Sequence, residues 1–233
     1  YENGSPKPEK LNDFELGWRI NNEKVRVQSN LYWMEYQDQL LLTGAIDEVG
    51  APIRQNVGKS RRVGLEVDAT IQLADQWLLK PNLALSSNQN LDFYFKRDGQ
   101  LQNLGTTNIS YSPNVVGASN LVFAPSTVFR VALLSKYVGE QFMGNIDADL
   151  SKLEAYFTND INISYVWTPN SWIKEAQFSL LVNNIFNALY TSNGYFYTFD
   201  DDYSVAGVVT TIEGVGYYPQ AGTNFLMGAT FRF

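Results

Sequence analysis

Residues Thr223 to Phe233 alternate strictly. Phe225, Met227, Ala229, Phe231 and Phe233 share one face of an extended chain, and Asn224, Leu226, Gly228, Thr230 and Arg232 share the other. Side chains on a strand repeat every two residues, so this pattern is a β-strand with one apolar side. The same period recurs along the chain. In Val63 to Leu73, the clearest case, Val63, Leu65, Val67, Ala69, Ile71 and Leu73 oppose Gly64, Glu66, Asp68, Thr70 and Gln72. Lys24 to Leu42 opens with Val25, Val27, Ser29, Leu31 and Trp33 against Arg26, Gln28, Asn30 and Tyr32, while Phe157 to Trp167 sets five apolar or aromatic positions against Asp160, Asn162 and Ser164. With Leu11 to Asn21, Trp77 to Ser86, Val115 to Phe123, Val128 to Tyr137 and Gln177 to Val182, the pattern predicts about nine strands.

The connections alternate in length. Those at Asn21–Glu23, Ala74–Gln76, Ala124–Thr127 and Thr168–Glu175 are short, and those at about 43–60, 87–108, 138–156 and 187–221 are long. Such a sequence of connections predicts antiparallel neighbours with one plain and one elaborated end, as in membrane barrels that have short turns on one side and long outer loops on the other. Trp167 and Trp172 flank one short turn, where indole rings suit a membrane interface. Single-chain bacterial barrels have an even strand number and both termini on the plain side. An odd count therefore places residue 1 in an outer loop and predicts the C-terminal part of a larger barrel. Tyr195 to Val209 is where a further strand would escape this count. Periodicity alone fits the alternative, a soluble β-sandwich carbohydrate-binding module, equally well.

Composition narrows the function. The 233 residues contain no apolar run of about eighteen, hence no predicted transmembrane helix, though barrel strands carry a weaker signal. The formal charge of 17 − 24 = −7, without a basic block, argues against nucleic-acid binding. Cysteine and histidine are both absent, which removes disulfides, thiolate and Ser-His-Asp catalysis and His-ligated metals. Glu66 and Asp68, two residues apart on a wet face, make no persuasive carboxylate pair for hydrolysis. No catalytic residue is assigned and no cofactor is expected. The opening Tyr1 to Lys10 has neither a positive leader nor an apolar stretch and reads as the end of a loop. No composition break divides the chain, which reads as one unit over residues 1–233.

The stretches PEKLNDFELGWRI (Pro8 to Ile20), NLYWMEYQDQLLLTG (Asn30 to Gly44) and PIRQNVGKSRRVGLEVD (Pro52 to Asp68) resemble consecutive strands of TonB-dependent outer-membrane receptors. LLVNNIFNALY (Leu180 to Tyr190) and YYPQAGTNFLMGATFRF (Tyr217 to Phe233) resemble the closing strands and terminal assembly signal of that family. The resemblance implies an all-β, antiparallel, up-and-down transmembrane β-barrel of about twenty-two strands with a plugged lumen, of which this chain is the C-terminal part. It further implies a bacterial outer-membrane location, contact with lipid, and uptake powered by TonB through an N-terminal plug and box that these residues lack. The ligand most often imported by the family is a ferric siderophore, with cobalamin, haem and glycans as other cargo.

Aromatic residues in the long loops are the candidate ligand contacts: Phe93, Tyr94 and Phe95 in one, and Tyr195, Phe196, Tyr197, Phe199 and Tyr203 in another. Aromatic rings offer large contact area at low conformational cost. The same rings also suit packing of loops against one another. Asp200-Asp201-Asp202 lacks the spacing of a calcium loop and reads as a solvated tip rather than a metal site. Lys59, Arg61 and Arg62, outside the third strand, suit an anionic ligand, anionic headgroups or simple solvation.

Overall fold

The computed structural model describes residues 6–169 and 172–233. Tyr1 to Ser5 of the opening stretch, and Asn170 and Ser171 of the turn before Trp172, lie outside the described residues. The first strands are β1 (Lys10–Asn21), β2 (Val25–Ile46), β3 (Pro52–Ala74), β4 (Trp77–Arg97) and β5 (Gln100–Asn108). Next come β6 (Val115–Phe123), β7 (Phe129–Val138), the two-residue β8 (Gln141–Phe142) and β9 (Lys152–Leu153), and β10 (Tyr156–Trp167). The chain finishes with β11 (Glu175–Asn183), β12 (Thr191–Asp201), β13 (Thr210–Pro219) and β14 (Asn224–Arg232).

Nine of these strands form one continuous antiparallel wall in the order β1-β2-β3-β4-β6-β7-β10-β11-β14. They correspond one for one to the nine expected from alternation. The edges β1 and β14 are not paired with one another, so the wall is an open part of a barrel. Register aligns the apolar faces across it. Leu16, Leu31, Leu65 and Leu85 form one such row, and Ile161, Val182 and Phe225 form another. The opposite face aligns Asn30 with Glu66, and Ser164 with Ser179 and Gly228.

The apolar rows point outward. On strands paired on both sides, Leu31 is 52% exposed, Trp33 46%, Leu85 40% and Phe157 53%. A soluble sandwich would bury these rows between its sheets, because leaving them in water costs about 25 cal/mol for each Å². Among acyl chains the same surface carries no such cost, and the seven wall strands between β1 and β14 are hydrogen-bonded to a neighbour on both sides. Among the described residues no helix is long and apolar enough to cross a membrane; the strands form the spanning wall. Two aromatic belts border it. Trp77 against Phe123, with ring centroids 4.6 Å apart, and Trp172 against Phe233, at 5.0 Å, lie at the short-turn end. Phe14 opposite Trp33, and Phe157 opposite Tyr137, mark the other boundary.

The long connections differ from expectation. The segments at 43–60 and 87–108 are largely strand, because β2 and β3 stay paired to Ile46↔Pro52 and β4 turns into β5 to form a second hairpin. The tip of the second is Asp98-Gly99, with φ of 52° and 74°, the left-handed pair of a tight hairpin turn. Extra strand is also present within 187–221, as the hairpin β12–β13, and two short strands lie within 138–156.

Candidate functional site

Outside the membrane band the hairpins fold onto one another. At Asp38, whose φ is 56°, opposite Gly58, the alternation of β2 and β3 reverses. Gln39 consequently points to the same side as Ser60 and Arg62, accepting hydrogen bonds from Ser60 Oγ at 2.6 Å and Arg62 Nη1 at 3.4 Å. Val57 beyond it turns inward and forms a buried cluster with Phe93, Phe95 and Ile146, against which Leu41, Leu104, Ala148 and Phe196 pack. Aromatic and aliphatic burial thus supplies the outer loops with a core of their own.

Polar contacts tie the hairpins together across long stretches of sequence. Asn145, 1% exposed, donates from Nδ2 to the Leu42 carbonyl at 2.9 Å and accepts from the Ser110 amide at 2.9 Å. The Tyr111 hydroxyl donates to the Gly194 carbonyl at 2.7 Å; burial pushes this phenol above its ordinary 10.0, keeping it a donor. The tip of β4–β5 docks on β12–β13 through the Arg97–Glu213 ion pair at 2.7 Å. There the Asp98 amide donates to Thr211 Oγ1 at 2.7 Å, and the Thr211 amide donates to Asp98 Oδ1 at 2.8 Å. Thr198, buried in β12, bridges in parallel to Ala45 of β2.

Between these hairpins lies a cavity of about 1070 Å³. The outer end of β2–β3 contributes Thr43, Ala45, Ile46, Asp47, Glu48 and Ile53. Phe95 and Lys96 line it from β4, and Tyr197, Thr198, Phe199, Asp200 and Tyr203 from β12 and its tip. Of the eight aromatic candidates, four meet here: Phe95, Tyr197, Phe199 and Tyr203. Phe93 is fully buried and supports the cavity from behind, Phe95 shows only 3% of its surface, and Phe196 packs on the loop core beside Gly144. Tyr94 and Tyr195 are exposed and do not line the cavity.

Tyr195, Tyr197 and Phe199 form a ladder on one side of β12, with successive ring centroids 6.3 and 6.5 Å apart and planes inclined by 20°. Their cross-strand partners are Gly216, Gly214 and Ile212. A side chain at either glycine would occupy the space of the facing tyrosine ring, so the glycines let both rings lie flat over β13.

The charged lining comprises Lys96 with Asp47, Glu48 and Asp200, a balance of 1 − 3 = −2. Lys96 Nζ sits 3.3 Å from Asp200, which also accepts from Thr211 Oγ1 at 2.9 Å. Asp201 caps the tip instead, accepting from the amides of Tyr203 and Ser204. The Ser204 hydrogen bonds hold its carboxyl below the ordinary 3.8. The adjacent Asp200 and Asp201 thus do different work. Among the described residues no group of three or more acidic side chains is placed to hold a metal ion.

The β2–β3 contribution was not foreseen from the sequence. The pattern predicts strand only to Leu42 on β2 and from Val63 on β3, because the reversal of faces at Asp38 masks the continuation to Ile46 and from Pro52; for the neighbouring arm, Asp98-Gly99 is a hairpin signal.

The model of the TonB dependent receptor-like β-barrel family matches residues 1–187. Among solved structures, the ferric yersiniabactin uptake receptor FyuA from Yersinia pestis aligns with a TM-score of 0.66 at 18% identity, over 97% of this chain and 30% of its own. The copper transporter OprC gives 0.67 at 19% identity, covering 96% of this chain and 31% of its own. The ferric citrate transporter FecA in its unliganded form gives 0.66 at 18% identity, over 97% and 32% respectively. At these identities the likeness concerns the fold. The chain spans less than a third of the length of each of these proteins. No curated protein sequence matches it.

Proposed function

We propose that this chain, which belongs to the TonB-dependent receptor-like β-barrel family, forms the C-terminal part of an outer-membrane receptor that imports a ferric siderophore. Members of the family are outer-membrane barrels that act as transport receptors, not enzymes. In the proposed receptor these residues supply wall and outer loops. A plug and its TonB-contacting segment, contributed elsewhere in the receptor, carry the energised step. The observation that carries the reading is the cavity of about 1070 Å³ at the elaborated end of a lipid-facing wall, with Tyr197, Phe199 and Tyr203 on its border.

The physics favours capture of a bulky organic chelate. Flat, restrained rings stack on the ligand's planar portions without paying much side-chain entropy, and the outer core holds the hairpins in position beforehand. The −2 balance of the lining favours a ferric chelate without net negative charge over an anionic one. Affinity is best read by quenching of intrinsic fluorescence on titrating the intact receptor with neutral and anionic ferric siderophores. Saturable binding of a neutral chelate, reduced about tenfold or more by Tyr197→Ala, supports the proposal. Indifference to every ferric chelate, with the barrel folded, sinks the ligand assignment.

A further inference from the structure

The consecutive arginines Arg61 and Arg62 go to opposite sides of the wall. Arg62 belongs to the inner face, with its guanidinium 4.7 Å from the Tyr36 ring centroid and a hydrogen bond to Gln39. Arg61 belongs to the outer face, 5.9 Å from the centroid of Trp33, a ring 46% exposed on the lipid-facing side.

Cross-strand register gives the level of Arg61 relative to the membrane. Leu16, Leu31, Leu65 and Leu85 make one outward row, and the aromatic-bearing row Phe14, Trp33, Val63 and Ser87 comes next. Immediately beyond are Asn12, Glu35, Arg61 and Gln89, followed by Lys10, Gln37 and Lys59. Successive rows on one face are two residues, or about 7 Å, apart along the strand. Arg61, Lys59 and Lys10 therefore stand just past the apolar band on its loop-bearing side. The acid within these rows is Glu35, which accepts the indole N–H of Trp33 at 2.8 Å and so helps orient the ring under Arg61. Glu9, beside Lys10, accepts the Leu40 amide at 2.7 Å, and with it the balance is 3 − 2 = +1.

We propose that Lys59 and Arg61, assisted by Lys10, form a binding site for the phosphate-bearing headgroup of an outer-leaflet lipid, whose acyl chains lie along the Phe14, Trp33 and Leu31 surface. Two observations converge on this occupant: the basic groups are on the exterior rather than in the lumen, and their patch is continuous with lipid-facing apolar side chains. A soluble anion would use the first feature only. The inference rests on the outer-membrane orientation in the proposed function but is independent of the imported ligand.

The test uses the intact receptor in nanodiscs and native mass spectrometry to count retained lipid, with bisphosphorylated lipid A, its dephosphorylated form, and free pyrophosphate as competitor. The bisphosphorylated lipid should be retained, and the double variant K59Q/R61Q should weaken retention on the order of thirtyfold, at about 1 kcal/mol per basic residue near the surface. R62Q, on the inner face, should leave retention unchanged, and free pyrophosphate should not displace the lipid. Equal retention of the dephosphorylated form, equal damage by R62Q, or full displacement by pyrophosphate would each overturn the site. Unaltered ferric-siderophore binding by K59Q/R61Q keeps this outcome separate from failure of the ligand assignment, and heat-resistant gel mobility verifies that the variants fold.

Discussion

Tyr197 of β12 lies flat across Gly214, its cross-strand partner on β13, and the ring fills the space that a side chain at 214 would take. Gly214→Val should therefore lift the ring from its seat and break the aromatic ladder beside the cavity. Overpacking of this kind typically costs about 1–3 kcal/mol, here confined to the hairpin. Ligand titration should show weakened binding while the barrel keeps its heat-resistant mobility. Because both changes act through one ring, Tyr197→Ala combined with Gly214→Val should bind no worse than Tyr197→Ala alone. Additive losses would mean that Gly214 acts by another route.

Phe93 is the fully buried anchor of the loop core, packed with Val57, Phe95 and Ile146. Phe93→Ala should cost about 3–5 kcal/mol of local stability by leaving a cavity where the outer hairpins meet. Limited proteolysis should then cut within the β4–β5 and β12–β13 hairpins, with the membrane wall intact. Protection equal to that of the unaltered protein would contradict this role.

Adjacent residues on β11 report opposite environments. Leu180 faces outward in a row with Ile163 and Met227, whereas Ser179 faces inward beside Ser164 and Gly228. Leu180→Arg should destabilise the barrel by about 2–4 kcal/mol in denaturant titrations from lipid vesicles, and Ser179→Arg by much less. Reversal of that order would reverse the assignment of the two faces.

The Asp201 cap has a definite pH dependence. Hydrogen bonds from Ser204 lower its folded-state pKa below the ordinary 3.8. The cap's contribution is thus complete above that ordinary value and is lost as the pH falls through the lowered one. A carboxyl carbon resonance titration should place the midpoint below 3.8, and Ser204→Ala should move it upward. A midpoint at or above 3.8 would show that the cap is not formed in solution.

Much of this architecture was legible in the chain, and the reason is local. Alternation such as Val63 to Leu73 reports a strand and its apolar side because neighbouring side chains necessarily point opposite ways. All nine wall strands were found on this basis, and the alternation of short and long connections marked the plain end. The end of β2 beyond Leu42 and the Pro52 to Arg62 arm of β3 escape this pattern, because the faces reverse at Asp38 and Gly58 and the polar signal no longer alternates about one plane.

The sandwich and the barrel share one pattern, since a two-residue period names an apolar face but not what covers it. Three-dimensional exposure of Leu31, Trp33 and Phe157, on strands paired on both sides, separates them. The candidate site was equally out of reach of local pattern. Asn145 meets the Leu42 carbonyl across 103 positions, and Arg97 meets Glu213 across 116. Which aromatic rings became core, as Phe93 did, and which remained at the cavity border, as Tyr197 and Phe199 did, follows from those long-range contacts. Strand period is a property of consecutive residues, whereas the docking of hairpins depends on side chains that only folding brings within bonding distance.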